Sequence, residues 1–359
     1  MKILHVITSL RTGGAEHLLV DLLPRLKAHG HEVGVLLFDG TPTPFSRQLQ
    51  QAGIAVTALA RGPKAMHNPW LVFALHRAIR GYDVVHAHNT PCQLLLAAAS
   101  YGTRCRLMTT EHSTHNRRRG KWQWQWVDRW MYSRYETVVC CSRETETALR
   151  HSLAVGADSM LPRIVTISNG VDTRRFAEAQ PACGLHADGT VLVMMVAAFR
   201  PQKYQEMLVE AISMLPPRFR LALVGDGVRR EEVEAVARRL GVAQRVAFLG
   251  IRQDIPQLLR TADILALATH HEGLSLSSLE AMASGRPFVG SDVEGLRDIV
   301  AGAGLMVANT PQAFADAFSR LDADAALRQS VADACQRRAA QYDIMKTVQG
   351  YEQVMEPQK

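Results

Sequence analysis

The chain alternates short apolar runs with amphipathic stretches, and it does so in two separate series. Residues 3–8, 33–38, 55–59, 84–86, 106–110, 137–140 and 164–167 form the first series. Nearly continuous apolar strands separated by helical stretches specify a parallel sheet covered on both faces. The pattern restarts at 191–196, 221–224, 246–248, 264–267, 287–289 and 304–307. Two such sheets exceed one domain. Residues 168–189, rich in Gly, Ala, Pro, Asp and Asn, lack apolar periodicity and read as the linker, with the boundary near 176–182. The expected organisation is an N-terminal α/β domain over 1–178 and a C-terminal one over 179–341. A last segment, 342–359, has helical apolar spacing that lets it pack back on the N-terminal domain. Open α/β sheets bind ligands outside the carboxyl ends of their strands, so chemistry is expected in a cleft where the two sheets face each other.

Composition supports this plan: 359 residues, 47% hydrophobic and 21% charged, suffice for two substantial cores. The opening Met-Lys-Ile-Leu-His-Val-Ile fits a buried strand better than a signal peptide, and no apolar run approaches the roughly 18 residues of a spanning helix. Six cysteines without C-x-x-C spacing read as reduced, which points to the cytoplasm. Through Glu178 there are 22 Lys+Arg against 13 Asp+Glu; beyond it, 19 against 21. The first half is therefore +9 and the second −2, so the first half is suited to an anionic partner: membrane, nucleic acid or phosphorylated substrate.

Glu272 and Glu280, eight residues apart, lie in the run Glu272-Gly273-Leu274-Ser275-Leu276-Ser277-Ser278-Leu279-Glu280. A glycosidase pair needs carboxyl groups about 5–5.5 Å or about 6.5–9.5 Å apart, whereas eight helical residues span roughly 12 Å. The pair is better placed to grip two parts of one long ligand. A capping box, Ser277-x-x-Glu280, would alternatively make Glu280 a helix-start residue, though it leaves Glu272 unexplained. Upstream, strand 191–196 runs into Ala-Ala-Phe-Arg200-Pro-Gln-Lys203, where a planar guanidinium and a compact ammonium suit a departing diphosphate. Gly13 and Gly14 stand where the first strand meets a helix N-terminus, allowing close approach by a phosphate or forming a plain tight turn. They do not match G-x-G-x-x-G, which disfavours a dinucleotide cofactor. Gly225 in Val224-Gly-Asp-Gly227 and Arg252 in Phe248-Leu-Gly-Ile-Arg252 lie at further strand ends that can line a nucleotide pocket.

Histidines occur as His86-Ala-His88 after the fourth strand and Glu111-His112-Ser-Thr-His115 after the fifth. Their spacing is not diagnostic of a metal; His112 suits a substrate hydroxyl and His86 a place in the core. Asp322-Ala-Asp324 is explained by helix capping, so a metal-bridged diphosphate lacks support. Residues 117–130 combine Arg117, Arg118, Arg119 and Lys121 with Trp122, Trp124, Trp126 and Trp130. Trp122, Trp126 and Trp130 share one helical face, fit for an anionic membrane surface, for nucleic acid, or for burial against the first domain.

Together these motifs resemble the retaining nucleotide-sugar glycosyltransferases of family 4, with their GT-B fold of two Rossmann-like domains. The resemblance spans essentially the whole chain. It rests on Gly13-Gly14-Ala-Glu, Asp83-Val-Val-His-Ala-His88, Glu111-His112-Ser, Val139-Cys-Cys-Ser142, Ser168-Asn169-Gly170-Val-Asp172, Phe199-Arg200-Pro-Gln-Lys203, Val224-Gly-Asp-Gly227 and above all the Glu-x7-Glu run. It implies that Arg200 and Lys203 hold the donor diphosphate, with Gly14 approaching from the other domain. Glu272 would bind donor-sugar hydroxyls, Gly273, Leu274, Ser275 and Leu276 would offer amides, and Glu280 would hold the ribose. His112 would sit beside the transferred sugar and Arg252 near the base.

The chain departs from the family pattern with Ser168 where proline is usual and Tyr204 where a small residue follows the lysine. The implied reaction moves a sugar from a nucleotide diphosphate sugar, UDP-sugar favoured, to a carbohydrate or lipid-linked acceptor with retention, in polysaccharide or glycolipid synthesis. No cofactor or metal beyond the donor is implied. The enzyme would be cytoplasmic, docked at the membrane through residues 117–130. A nucleotide-sugar epimerase or glycoside phosphorylase shares the plan, whereas a noncatalytic nucleic-acid-binding protein would explain the basic half but not Glu272.

Overall fold

The apolar runs become strands in the computed structural model of the chain, which describes residues 1–11, 13–62, 68–113, 122–153, 162–185, 187–300 and 302–356. Contacts divide the chain into one unit of Met1–Asn169 with Ile344–Lys359 and another of Gly170–Asp343.

In the first unit, β1 (Lys2–Ile7), β2 (Glu32–Asp39), β3 (Ala55–Ala60), β4 (Val84–His88), β5 (Arg106–Glu111), β6 (Thr137–Cys140) and β7 (Arg163–Thr166) form one sheet. Its order is β3-β2-β1-β4-β5-β6-β7, and all pairings are parallel. Side chains alternate across a strand: Leu4 and Val6 pack with the helices Leu71–Ala78 and Thr90–Ala99, while Ile3 and Ile7 pack with Gly14–Ala28 and Ile344–Met355. The terminal helix buries Val348, Tyr351, Val354 and Met355 in this second layer, and Thr347 Oγ1 donates to the Ser168 carbonyl at 2.9 Å.

The second unit pairs β8 (Val191–Val196), β9 (Phe219–Val224), β10 (Val246–Gly250), β11 (Ile264–Leu267), β12 (Phe288–Ser291) and β13 (Leu305–Val307) in the order β10-β9-β8-β11-β12-β13, again all parallel. Each sheet reverses its winding direction once, between β1 and β4 and between β8 and β11. Each unit is Rossmann-like, and the architecture is that of a GT-B fold.

The sequence places His86-Ala-His88 beyond the fourth strand, but β4 runs through His88 and is buried along its whole length. Polar residues at the end of an apolar run look like a strand exit. Here hydrogen-bond partners make their burial tolerable.

Candidate functional site

The candidate site in the second unit lies at the reversal between β8 and β11, the topological position at which open α/β sheets bind ligands. The loops leaving these two strands are joined: Lys203 and Thr269 form an antiparallel bridge, Tyr204 N donates to Ala268 O at 3.0 Å, and His270 N donates to Gln202 O at 2.9 Å. The Tyr204 ring stacks on His270 with centroids 4.6 Å apart, so the aromatic residue that departs from the family pattern fastens one loop to the other. This joining carries the Lys203 ammonium onto the Glu272 carboxylate as a hydrogen-bonded ion pair, with side chains only 14% and 7% exposed. Arg200 is exposed and its side chain has no partner among the described residues. A free guanidinium and a paired ammonium thus stand on one short loop.

Beyond Glu272 the chain enters the helix Leu276–Ala283. The expected capping box at Ser277 and Glu280 is not what starts it. Ser275 is the N-cap, and its Oγ accepts from Ser278 N at 3.4 Å and from Ser278 Oγ at 2.9 Å. Glu280 instead lies inside the helix and is buried. Among the described residues no acceptor meets the amides of Gly273, Leu274, Leu276 or Ser277, the orphan donors that a helix start presents to an anion. The sequence alone does not mark Gly295. It has φ +80°, and a Cβ there would strike the Glu272 carbonyl. Its only sequence signal is a glycine in the short turn after β12.

Other candidates are placed differently. Gly225 has φ +133°, its amide donates to Gly250 O at 2.8 Å, and a Cβ would strike the Ala197 carbonyl. Its amide is therefore engaged within the sheet. Arg252 forks onto Asp254 at 2.8 and 2.6 Å, and this hydrogen-bonded guanidinium holds the Asp254 carboxyl below its usual range. Gly14 begins the helix Gly14–Ala28 and Gly13 caps it without a side chain; a Cβ on Gly13 would strike the Glu16 carboxylate, which lies over the helix start. Asp324 caps the helix Ala325–Ala339, accepting from Leu327 N at 2.9 Å, while Asp322 pairs with Arg218.

The corresponding reversal in the first unit gathers histidines. His5 on β1 registers with His86 on β4, and His88 lies two residues further along the same face. His5 Nδ1 is 3.0 Å from His88 Nε2, and His88 Nδ1 is 3.0 Å from His112 Nε2. His86 Nε2 meets Thr110 Oγ1 at 2.8 Å, which meets Tyr351 OH at 3.0 Å. Burial pushes His5 down to about 3 and His112 to about 4, and holds His86 and His88 well below the ordinary imidazole value. The rings are neutral. His5, His86 and His88 offer ligand atoms within 4.8 Å of one another, yet a cation needs bare nitrogens, and the His5–His88 hydrogen bond occupies two of them. Nearby, Asn89 adopts φ 65° and donates to Thr8 Oγ1 at 3.0 Å, joining the β1 and β4 ends.

Arg117, Arg118, Arg119, Lys121 and His115, and the side chain of Trp122, lie outside the described residues. On the helix Trp122–Ser133, Trp124, Trp126 and Trp130 are 38%, 76% and 37% exposed. Of these three, Trp126 is largely open, whereas Trp124 and Trp130 are more than half covered. Trp130 Nε1 donates to Tyr101 OH at 3.0 Å, Arg134 lies over the Tyr101 ring, and Trp70 and Phe73 form a second exposed, stacked pair. No helix among the described residues is long and apolar enough to cross a membrane.

Two family models match: "Glycosyltransferase Family 4" over residues 12–175 and "Glycosyl transferases group 1" over residues 190–324. The glycogen synthase of Mycobacterium tuberculosis is 26% identical, with 92% of this chain and 88% of that one covered. An Escherichia coli UDP-Gal:alpha-D-GlcNAc-diphosphoundecaprenol alpha-1,3-galactosyltransferase is 24% identical, with 82% and 80% covered. The crystal structure of Anabaena HepE in complex with UDP-glucose superposes with a TM-score of 0.82 at 25% identity, covering 99% of both chains. The chain is a glycosyltransferase of the GT-B fold, related to family 4.

Proposed function

We propose that the protein transfers a sugar from a UDP-sugar, with retained anomeric configuration, to a carbohydrate or lipid-linked acceptor of polysaccharide or glycolipid synthesis. The observation that carries this reading is the Lys203–Glu272 ion pair at the β8/β11 reversal. A diphosphate is a stronger partner for an ammonium than a carboxylate is, so an arriving donor takes Lys203 from Glu272. Glu272 is then free to accept hydrogen bonds from the donor-sugar hydroxyls. Arg200 adds a second cation, the amides of Gly273 to Leu276 take phosphate and sugar oxygens, and Glu280 takes the ribose hydroxyls. As the glycosidic bond breaks, charge builds on the diphosphate, where Arg200 and Lys203 stabilise it. Arg252 lies near the base, Gly225 shapes the nucleotide pocket, and a phosphate approaching Gly13 and Gly14 has to displace the Glu16 carboxylate from the helix start. His112 contacts a substrate hydroxyl.

The test is a panel of nucleotide sugars, read by thermal protection and by donor hydrolysis. A UDP-sugar at a hundred times its dissociation constant is expected to add about 2.7 kcal/mol of stability. Equal indifference to every nucleotide sugar overturns the reading. The HepE complex with UDP-glucose and the name of the Escherichia coli galactosyltransferase support uridine as the first base to try.

The second part of the proposal is docking on anionic lipid. It is supported by exposed Trp70, Phe73, Trp124, Trp126 and Trp130 beside exposed Arg77, Arg80 and Arg129. Indole rings favour the headgroup level, and each cation near the surface adds roughly 1 kcal/mol. Sedimentation with phosphatidylglycerol vesicles is expected to recover the protein, and Trp126→Ala with Trp70→Ala to reduce that severalfold. Recovery that is equal on neutral vesicles rules out the docking reading.

A further inference from the structure

The loops that carry Lys203 and Glu272 meet on one buried hydroxyl. Thr269, two residues past β11, is fully buried, and its Oγ1 lies 3.1 Å from the Gln202 carbonyl and 3.1 Å from the His271 carbonyl. Gln202 immediately precedes Lys203, and His271 immediately precedes Glu272. One side chain therefore reaches the residue before each member of the ion pair. Neither carbonyl depends on it for a partner: Gln202 O also accepts from His270 N at 2.9 Å, and His271 O accepts from Gln202 Nε2 at 2.5 Å. With its acceptors already served, the hydroxyl is not needed to satisfy buried groups. What it adds is a fixed distance between the two loops.

Thr269 is itself held by a closed ring of hydrogen bonds. Its N–H donates to Ser291 Oγ at 2.9 Å, the Ser291 hydroxyl donates to Asn309 Oδ1 at 2.8 Å, and Asn309 Nδ2 donates to the Thr269 carbonyl at 3.1 Å. Each direction follows from the groups: a backbone N–H only donates and a carbonyl only accepts, which leaves the serine proton for the amide oxygen. Ser291 ends β12, and Asn309 stands two residues past β13. The ring thus ties the carboxyl ends of three neighbouring strands to the peptide of Thr269.

We propose that Thr269, anchored by Ser291 and Asn309, is a positioning residue that sets the Lys203 ammonium and the Glu272 carboxylate at the separation a nucleotide-sugar donor needs. This rests on the reading of Lys203 and Glu272 as donor-binding groups. The diphosphate and the sugar of one donor are covalently joined, so groups that grip both must keep their spacing while the donor displaces the ion pair. The ion pair cannot keep it, because the donor breaks it. The Thr269 hydroxyl acts on the backbone behind both residues, and its bonds persist through the exchange.

Thr269→Val exchanges the hydroxyl for a methyl of nearly the same size, and Thr269→Ser restores it. Calorimetric titration of UDP-glucose into the full chain, these two variants, Lys203→Met and the Lys203→Met/Thr269→Val double variant tests the role. Thr269→Val is expected to weaken binding about three- to tenfold, the worth of one hydrogen bond, and Thr269→Ser to bind as the wild type does. In Lys203→Met there is no ammonium left to position, so Thr269→Val is expected to add less than about a twofold loss there. A merely structural threonine would weaken binding by the same factor in both backgrounds. That additivity, or wild-type affinity in Thr269→Val, overturns the proposal. Asn309→Ala opens the ring from a partly exposed position, without touching Thr269, and is expected to weaken UDP-glucose with the same dependence on Lys203. Unchanged affinity in Asn309→Ala overturns the anchoring. If Lys203→Met binds UDP-glucose like the wild type, the donor-binding reading fails with the proposal, whereas additive losses beside a weakened Lys203→Met strike the positioning role alone.

Discussion

At the scale of residues, Lys203 and Glu272 hold opposite charges where water reaches little of either side chain. Such a pair is a weak contributor to stability, because desolvation offsets most of the attraction. Its proposed use lies in exchange, a diphosphate replacing the carboxylate without leaving the ammonium bare. Gly295 supports this pair from behind, with its Cα against the Glu272 carbonyl. Gly295→Val is therefore expected to lose about 2 kcal/mol from the positive φ alone and to shift the 272–276 loop. Urea unfolding and UDP-sugar titration check this; unchanged stability together with unchanged binding would contradict it. Lys203, Glu272 and Arg200 were legible in the sequence because charge beside a strand end is a local pattern. Gly295 was not, since the carbonyl it avoids belongs to residues 272 and 273, remote in sequence.

At the scale of elements, β4 shows how an apolar pattern can carry polar function inside a core. Its histidines were expected beyond the strand, and only the neighbouring strands and the terminal helix supply the partners that let them be buried. Burial lowers His5 to about 3 and His112 to about 4, both beneath the unfolded value of about 6.5. Above pH ~6.5 the rings are neutral whether folded or unfolded, and this stability is fully present. Below it the unfolded chain binds protons that the folded chain refuses, so stability falls as pH falls towards 4. The loss is roughly 2 kcal/mol per ring between pH 6.5 and 5, above the range in which ordinary carboxylates titrate. Urea unfolding across that interval measures the slope, and His112→Gln is expected to make it shallower. A flat profile would show that the rings are not buried neutral. The helix Leu276–Ala283 carries a similar lesson: three nearby serines each offer a cap, and burial of Leu279 and Met282 selects Ser275, which no local pattern distinguishes.

At the scale of the whole molecule, the two-sheet plan was legible because a strand buried on both faces leaves a short, dense apolar run wherever it occurs. The seven- and six-stranded sheets repeat the expected series, with boundaries shifted by a residue or two at most ends. What sequence could not supply was long-range pairing: Lys203 meets Glu272 across 69 positions, and Tyr351 returns to Thr110 across 241. The charge asymmetry is a property of the sequence, but only the fold separates the exposed tryptophans from the buried Met131 and Tyr132 of the same helix. The central claim is that Lys203 exchanges Glu272 for the donor diphosphate, and calorimetric titration of UDP and UDP-glucose into three proteins tests it most directly. Lys203→Met is expected to weaken both ligands about tenfold or more, the worth of a charged hydrogen bond. Glu272→Gln is expected to bind UDP at least as tightly as the wild type while losing the added affinity for the sugar. Wild-type affinity for UDP in Lys203→Met, or weakened UDP binding in Glu272→Gln, would contradict the account.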